Sequence, residues 1–114
     1  MISKNKIKFI VSLQKKKVRD EENLYVIEGD KLVREFLNAG EAISILAAKP
    51  EFLGSLAPEL TQNVKEVEEV SYEDLKHIST LKTPHNALAV VQMPGHEMKM
   101  ADLLSQPFSF HDRA

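Results

Sequence analysis

Basic side chains gathered near the start of the chain are the feature with the clearest capacity for chemistry. Residues 1–19 contain seven lysine or arginine residues and no acidic residue, whereas all seventeen acidic residues lie beyond position 19. The first part therefore carries a formal charge of +7, and the remainder, with eight basic residues, carries −9. Such a polarised chain indicates a polyanionic partner, because clustered positive charge attracts negative charge over a distance.

The spacing of apolar residues predicts that these charges lie on one helix, running from Lys4 to about Val18. On a helical wheel of about 100° per residue, the apolar residues form one stripe and the basic residues form a second stripe beside it. The apolar stripe contains Ile7, Ile10, Val11 and Val18, with Gln14 inside it; the basic stripe contains Lys4, Lys8, Lys15 and Arg19, with Lys16 at its margin. Lys17 falls toward the apolar side.

A helix with this pattern can pack on a core while its basic stripe contacts several phosphates of a nucleic acid. The alternative interpretation is a solvated, lysine-rich surface without a partner, because charged residues are common on protein surfaces.

A second candidate site lies where a predicted strand, NLYVIEG, meets a helix. Gly29 allows a ligand to approach closely, and free N–H groups at the helix start can bind a phosphate or the edge of a base. Lys31 and Arg34 lie in the first helical turns and could assist. We assign Glu28 to fixing this turn or orienting Arg19, while the simpler alternative is that Gly29 only permits the turn.

A third candidate is the polar segment KTPHN, which carries Lys82, His85 and Asn86 just before the last apolar run. This loop could contact RNA through Lys82, or it could contact a neighbouring domain. Taken alone, its proline and asparagine indicate only a turn.

Hydrophobic patterning predicts four strands that alternate with three helices after the basic helix. The strands are NLYVIEG, AISILAA, VKEVEEV and ALAVVQM, and the last, continuously apolar, is expected to be central. The first of these helices is capped by Asp30, with Leu32 facing inward and Gly40 as its end, and the second begins at Pro50 and ends at Pro58. The third begins at Ser71, where Asp74 completes a capping box ahead of Leu75, Ile78 and Leu81. This alternation predicts an α/β fold (α+β in some schemes), a three-layer α/β/α sandwich.

Length and composition favour one soluble domain. With 114 residues, 43% of them apolar and 28% charged, the chain has room for one core. We expect residues 1–93 to form that domain and 94–114 to form a linker. No apolar run is long enough to cross a bilayer, no secretory signal is evident and cysteine is absent, so a cytoplasmic location is expected.

An independent active site is not expected in this sequence. The four histidines, His77, His85, His96 and His111, lack close metal-ligand spacing, and no cysteine is present to complete such a site. The sequence also contains no phosphate-binding loop of the Walker type, no dinucleotide fingerprint and no nucleophile elbow. We therefore assign no catalytic residues, no metal ligands and no cofactor to this chain.

Two segments carry a resemblance to a known family. FIVSLQKKKVRDEENLYVIEGDKLVREFLNAG resembles the N-terminal substrate-binding domain of the SpoU/TrmH-type RNA 2′-O-ribose methyltransferases: a lysine-rich helix, an arginine, a strand ending in Glu-Gly, and a helix. LKTPHNALAVV is similar to the closing segment of that domain, although His85-Asn86 stand where many members have Gln-Gly. Together the segments bracket residues 8–92.

The resemblance implies a four-stranded mixed sheet akin to that of ribosomal proteins that bind kinked RNA. It implies tRNA or rRNA as partner. From the positions of the basic residues and of the Gly29 turn, we expect contacts by Lys4, Lys8, Lys15, Lys16, Arg19, Gly29, Lys31 and Lys82, and we expect no DNA and no membrane partner. The resemblance also implies a separate catalytic domain, absent from this sequence, that would bind S-adenosylmethionine and form any homodimer. The alternatives are a stand-alone binder of kinked RNA and a protein-interaction module whose basic helix meets an acidic surface.

Overall fold

The computed structural model describes residues 2–93, which form one four-stranded sheet with helices on both faces. The helices are α1 (Lys4–Ser12), α2 (Lys16–Glu22), α3 (Asp30–Asn38), α4 (Pro50–Gly54) and α5 (Tyr72–Ile78), and a short 3₁₀ turn spans Pro58–Thr61. The strands are β1 (Leu24–Glu28), β2 (Ile43–Ala48), β3 (Glu66–Glu69) and β4 (Ala87–Gln92). The predicted linker, 94–114, lies outside the described residues. None of these helices is long and apolar enough to cross a bilayer.

The sheet has the order β1-β4-β2-β3 and is mixed. Strand β4 runs antiparallel to both of its neighbours, whereas β2 and β3 are parallel. The central position of β4 confirms the expectation from its continuous apolar sequence, and its first five residues are buried. The carboxyl ends of β1, β2 and β3 therefore meet at one end of the sheet, beside the start of β4. In open α/β sheets, ligands bind at this end.

Two hydrophobic clusters, one on each face of the sheet, make up the core. One cluster joins α1 and α5 to the sheet through Ile10, Leu13, Ile45, Leu75, Ile78, Leu88 and Val90, and the partly buried Val18 packs α2 against it. The other joins α3 and α4 through Val33, Leu37, Ile43, Leu46, Phe52, Ala89 and Val91. Successive residues of β4 alternate between the clusters, as side chains on a strand must. The predicted three-layer α/β/α sandwich is confirmed.

A bulge in β2 explains why two of its isoleucines face opposite layers. Ile43 and Ile45 pair with the successive residues Val91 and Val90, so Ser44 is an extra residue in the ladder. Without that insertion, Ile43 and Ile45 would share one face, because side chains alternate with a period of two. The bulge instead lets Ile43 join the cluster under α3.

The prediction of one continuous helix from Lys4 to Val18 is wrong. The chain turns after Ser12, and Lys15 precedes a second helix, α2. A straight helix would place Leu13 about 120° from the centre of the apolar stripe. The turn instead directs Leu13 into the core, where it is 1% exposed. The gain from burying a leucine, about 1.5–3 kcal/mol, favours the break.

Three smaller predictions also differ from the structure. Leu32, predicted to face inward, is 39% exposed, and Leu81, predicted as part of the last helix, is 41% exposed. Leu81 lies beyond α5, which ends at Ile78, although the capping box of Ser71 and Asp74 at the start of that helix is confirmed. Helix α4 ends at Gly54 rather than Pro58, because the chain continues into the 3₁₀ turn that Pro58 begins.

Lys6 connects α1 to the edge strand β3 by ion pairs with Glu66 and Glu68. Hydrogen bonds to Glu66 and then Glu68 raise the pKa of Lys6 above its ordinary value of 10.5, outweighing the opposite effect of burial. Because the folded-state pKa lies above the unfolded one, these pairs stabilise the fold fully below the unfolded pKa. That stabilisation is lost as pH rises through the folded pKa.

We therefore expect the wild-type chain to lose more free energy of unfolding than the Lys6→Met variant as pH rises above 10.5, the ordinary pKa of lysine. Urea denaturation across this range measures the difference. Parallel pH profiles for the two proteins would contradict the assigned role of Lys6.

Candidate nucleic-acid interface

Two of the predicted basic residues, Lys8 on α1 and Lys15 in the turn after it, lie on one surface depression. This first depression has a volume of about 390 Å³ and is also lined by Ile7, Val11, Ser12 and Gln14. Both lysine side chains are exposed. Within the described part of the chain, neither forms an ion pair with an acidic residue. Both ammonium groups are therefore available to phosphates.

Arg19 does not continue a basic stripe along one helix, because α2 changes direction after the turn. Its Nη1 donates hydrogen bonds to the carbonyl oxygens of Leu13, at 3.0 Å, and Gln14, at 2.9 Å. These charge-assisted bonds satisfy carbonyl groups that the end of α1 leaves without helical partners. Arg19 therefore holds the turn, while its Nη2 and Nε groups have no hydrogen-bond partner among the described residues.

Three other predicted lysines, Lys4, Lys16 and Lys82, do not line the first depression. Lys4 is exposed on the first turn of α1, and Lys82 is exposed in the loop between α5 and β4. Lys16, at the start of α2, pairs with Asp20 at 2.7 Å, and both side chains remain mostly exposed. Lys17 is exposed rather than turned toward the apolar side, since the wheel that placed it there assumed one straight helix.

Glu28 fixes the segment that follows α5. Its carboxylate accepts hydrogen bonds from the Ser79 hydroxyl and from both the backbone N–H and the hydroxyl of Thr80, at 3.0 and 2.9 Å. It therefore ties the end of β1 to the loop before β4. No hydrogen bond from Arg19 to Glu28 is present, but both residues line a second depression, of about 380 Å³.

Gly29 joins β1 to α3 in a conformation that other residues rarely adopt, with φ of 121° and ψ of 138°. Its N–H donates to the Ala87 carbonyl at 3.0 Å. The predicted side-chain cap by Asp30 is wrong: this residue is the first of the helix, and its carboxylate accepts bonds from the backbone and side-chain amides of Asn86. The helix start is thereby joined to the loop before β4.

Around Gly29 lies a third depression, of about 520 Å³, which also contains Lys31 and His85. Its carboxylates, from Glu28, Asp30 and Glu35, make it less positive than the first depression. Arg34 does not assist here, because its guanidinium lies 4.8 Å from the centre of the Phe52 ring and donates to Ser55.

The three depressions adjoin one another at shared residues. Gln14 lines both the first and the second, and Glu28 lines both the second and the third. We call this continuous surface, from Lys8 to Lys31, the β1-side groove, because residues of the edge strand β1 line its middle part. Sequence reasoning missed Gln14 as a site residue, although a polar residue inside an apolar stripe was a signal.

Acidic side chains collect on the opposite edge of the sheet. Strand β3 carries Glu66, Glu68 and Glu69, and Lys6 pairs with two of them. Strands in a sheet lie about 4.8 Å apart, so β3 is about 14 Å from β1. The acidic strand therefore lies at the edge of the sheet farthest from the β1-side groove. Among the described residues, no group of three metal-ligating side chains occurs.

Comparisons with known proteins agree on one family. The family model of the MRM3-like substrate binding domain matches residues 4–89. A protein from Porphyromonas gingivalis, described as an RNA methyltransferase of the TrmH family, has a TM-score of 0.71 and 34% identity over 82% of this chain and 36% of its own. An AdoMet-bound rRNA methyltransferase from Sinorhizobium meliloti has a TM-score of 0.69 and 25% identity over 82% of this chain and 35% of its own.

A third solved structure shares the fold at lower identity. The SpoU methyltransferase AviRb from Streptomyces viridochromogenes has a TM-score of 0.59 and 16% identity over 81% of this chain and 36% of its own. No curated protein matches this sequence significantly. The chain thus spans little more than a third of the length of the solved structures that it resembles.

Proposed function

Because the chain belongs to the family of MRM3-like substrate binding domains of SpoU/TrmH RNA methyltransferases, we propose that it holds RNA in the β1-side groove and presents it to a catalytic domain. The observation that carries this proposal is the pair of exposed lysines, Lys8 and Lys15, in a depression that continues into the Gly29 turn. The Lys8 end of the groove offers contacts to phosphates, and the Gly29 end offers hydrogen-bonding groups.

In this proposal, Lys8 and Lys15 neutralise adjacent phosphates, and each contact is stabilised by the release of condensed counterions. Lys4 adds positive charge at the start of α1, and Lys16, which pairs with Asp20, contacts the RNA at the start of α2. Arg19 acts chiefly by holding the turn that places Lys15 beside Lys8.

At the other end of the groove, the first backbone N–H groups of α3 and the side chain of Lys31 contact the RNA. Lys82, on the neighbouring loop, provides a further charge. Because carboxylates line this third depression, ribose hydroxyls and base amino groups suit it better than a phosphate does.

The methyl transfer belongs, in this proposal, to a catalytic domain outside residues 4–89. That domain would bind S-adenosylmethionine and transfer its methyl group to a ribose 2′-hydroxyl of tRNA or rRNA in the cytoplasm. Any homodimer would form through it. The role of the present domain is to bind and orient the RNA, and it contributes no reacting group.

Titration of the purified chain with a structured RNA, at several salt concentrations, tests this function. We expect binding that weakens by about tenfold or more between 50 and 200 mM salt, because phosphate contacts exchange with counterions. An acidic polypeptide of similar charge serves as the control. Equal affinity for the RNA and the polypeptide at the same salt would contradict RNA binding and favour a protein partner.

A further inference from the structure

The middle part of the β1-side groove differs from its neighbours in chemistry. This second depression, of about 380 Å³, has an apolar wall formed by the half-buried residues Tyr25 and Val26. The buried core residues Ile10, Leu13 and Ile78 lie behind this surface. Polar groups on the same surface come from Gln14 and Arg19, and from Glu28 and Thr80, which hydrogen-bond to each other. Its volume is in the range of pockets that bind small organic ligands.

The edge of β1 adds backbone hydrogen-bonding groups to this depression. At the two ends of the β1–β4 ladder, Gly29 donates to Ala87 and Met93 donates to Asn23. In an antiparallel pair, residues that bond to the partner strand alternate with residues whose groups point away from it. The N–H and C=O groups of Val26, which lines the depression, therefore point outward from the sheet.

The second depression offers both hydrogen-bond donors and hydrogen-bond acceptors. Arg19 retains its Nη2 and Nε donors, the Gln14 amide supplies one donor group and one acceptor, and the Val26 backbone supplies one of each. Within the described residues, no hydrogen-bond partner occupies the Gln14 side chain. Such groups around an apolar floor suit a flat molecule with apolar faces and a polar edge.

On these observations, we propose that the second depression binds one unstacked nucleobase of the bound RNA. The ring lies against the apolar wall, and its edge hydrogen-bonds to Val26, Arg19 and Gln14. This inference rests on the proposed RNA-binding function and deepens it. Gln14 also lines the first depression, so the phosphate of the same nucleotide can reach Lys15. Single-stranded bases are read in this way, by an apolar face and a polar edge.

The test compares a fluorescent hairpin RNA with the same hairpin whose loop nucleotides lack their bases. Both probes carry the same phosphates, so they differ only in what can enter the depression. We expect the wild-type chain to bind the base-containing hairpin about five- to tenfold more tightly, as a few hydrogen bonds and a packed face provide. Fluorescence anisotropy at fixed salt gives both affinities.

The Gln14→Ala variant tests whether the base lies in the second depression. Gln62→Ala, on the exposed loop after the 3₁₀ turn, is the matched control. We expect Gln14→Ala to reduce the preference by about threefold and Gln62→Ala to leave it unchanged. Failure of the wild-type chain to bind either hairpin would overturn the proposed function itself. Equal binding of both hairpins would overturn only the nucleobase inference, and so would an unchanged preference in Gln14→Ala.

Discussion

Replacing Lys8 and Lys15 together by glutamate is expected to reduce affinity for structured RNA by about a hundredfold or more at low salt. The change removes two phosphate contacts and places two negative charges in the first depression, which repel the RNA backbone. Each lost contact should also lower the slope of log affinity against log salt by about 0.7 to 0.9. Filter binding or fluorescence anisotropy across a salt series measures both effects.

The matched control replaces Lys65 and Lys76 by glutamate. Both residues are exposed, and the net charge changes by the same amount, but neither lines the β1-side groove. We expect this control to weaken binding only slightly, through the long-range field. A comparable loss in both double variants would show that net charge, rather than the groove, determines affinity.

Substitution of Gly29 by alanine should destabilise the domain by about 2 kcal/mol, within the 1–3 kcal/mol typical of a strained backbone conformation. The cause is the positive φ of 121°, because an added Cβ would meet nothing closer than the His85 ring, at 3.9 Å. We expect a lower midpoint of urea unfolding with an unchanged m-value, since the same surface is exposed on unfolding.

Gly54 offers the matched control, because it lies at the end of α4 and an added Cβ there would have no neighbour within 4 Å. Alanine at this position should be neutral or should stabilise the domain by up to about 1 kcal/mol, through its higher helix propensity. Similar destabilisation by the two alanine substitutions would contradict the argument from backbone conformation.

Much of the fold follows from local sequence patterns. The continuous apolar run of β4 predicted its central position, and Ser71 with Asp74 predicted the start of α5. The break between α1 and α2 was not predictable from helical spacing, because its cause is tertiary. Leu13 reaches the core only if the chain turns, and Arg19 stabilises that turn from the next helix.

The individual residues of the candidate site were easier to predict than their arrangement. Lys8 and Lys15 stood out by charge, and Glu28 and Gly29 by their place after a strand. Gln14 and Glu28 connect the three depressions because the turn after α1 packs beside β1. Local sequence patterns do not predict this packing. The hydrogen bonds between Glu28 and Thr80 were not predictable either, because they depend on the strand order, in which β4 lies next to β1.

Amide chemical shifts of the ¹⁵N-labelled chain, followed during titration with a structured RNA, show which surface of the domain the RNA contacts. We expect the largest changes in two stretches, 8–19 and 28–31, and smaller changes in the loop that contains Lys82. The amide chemical shifts of residues 66–69, in the acidic strand, should remain unchanged. Changes centred on β3, or spread evenly over the surface, would contradict RNA binding in the β1-side groove.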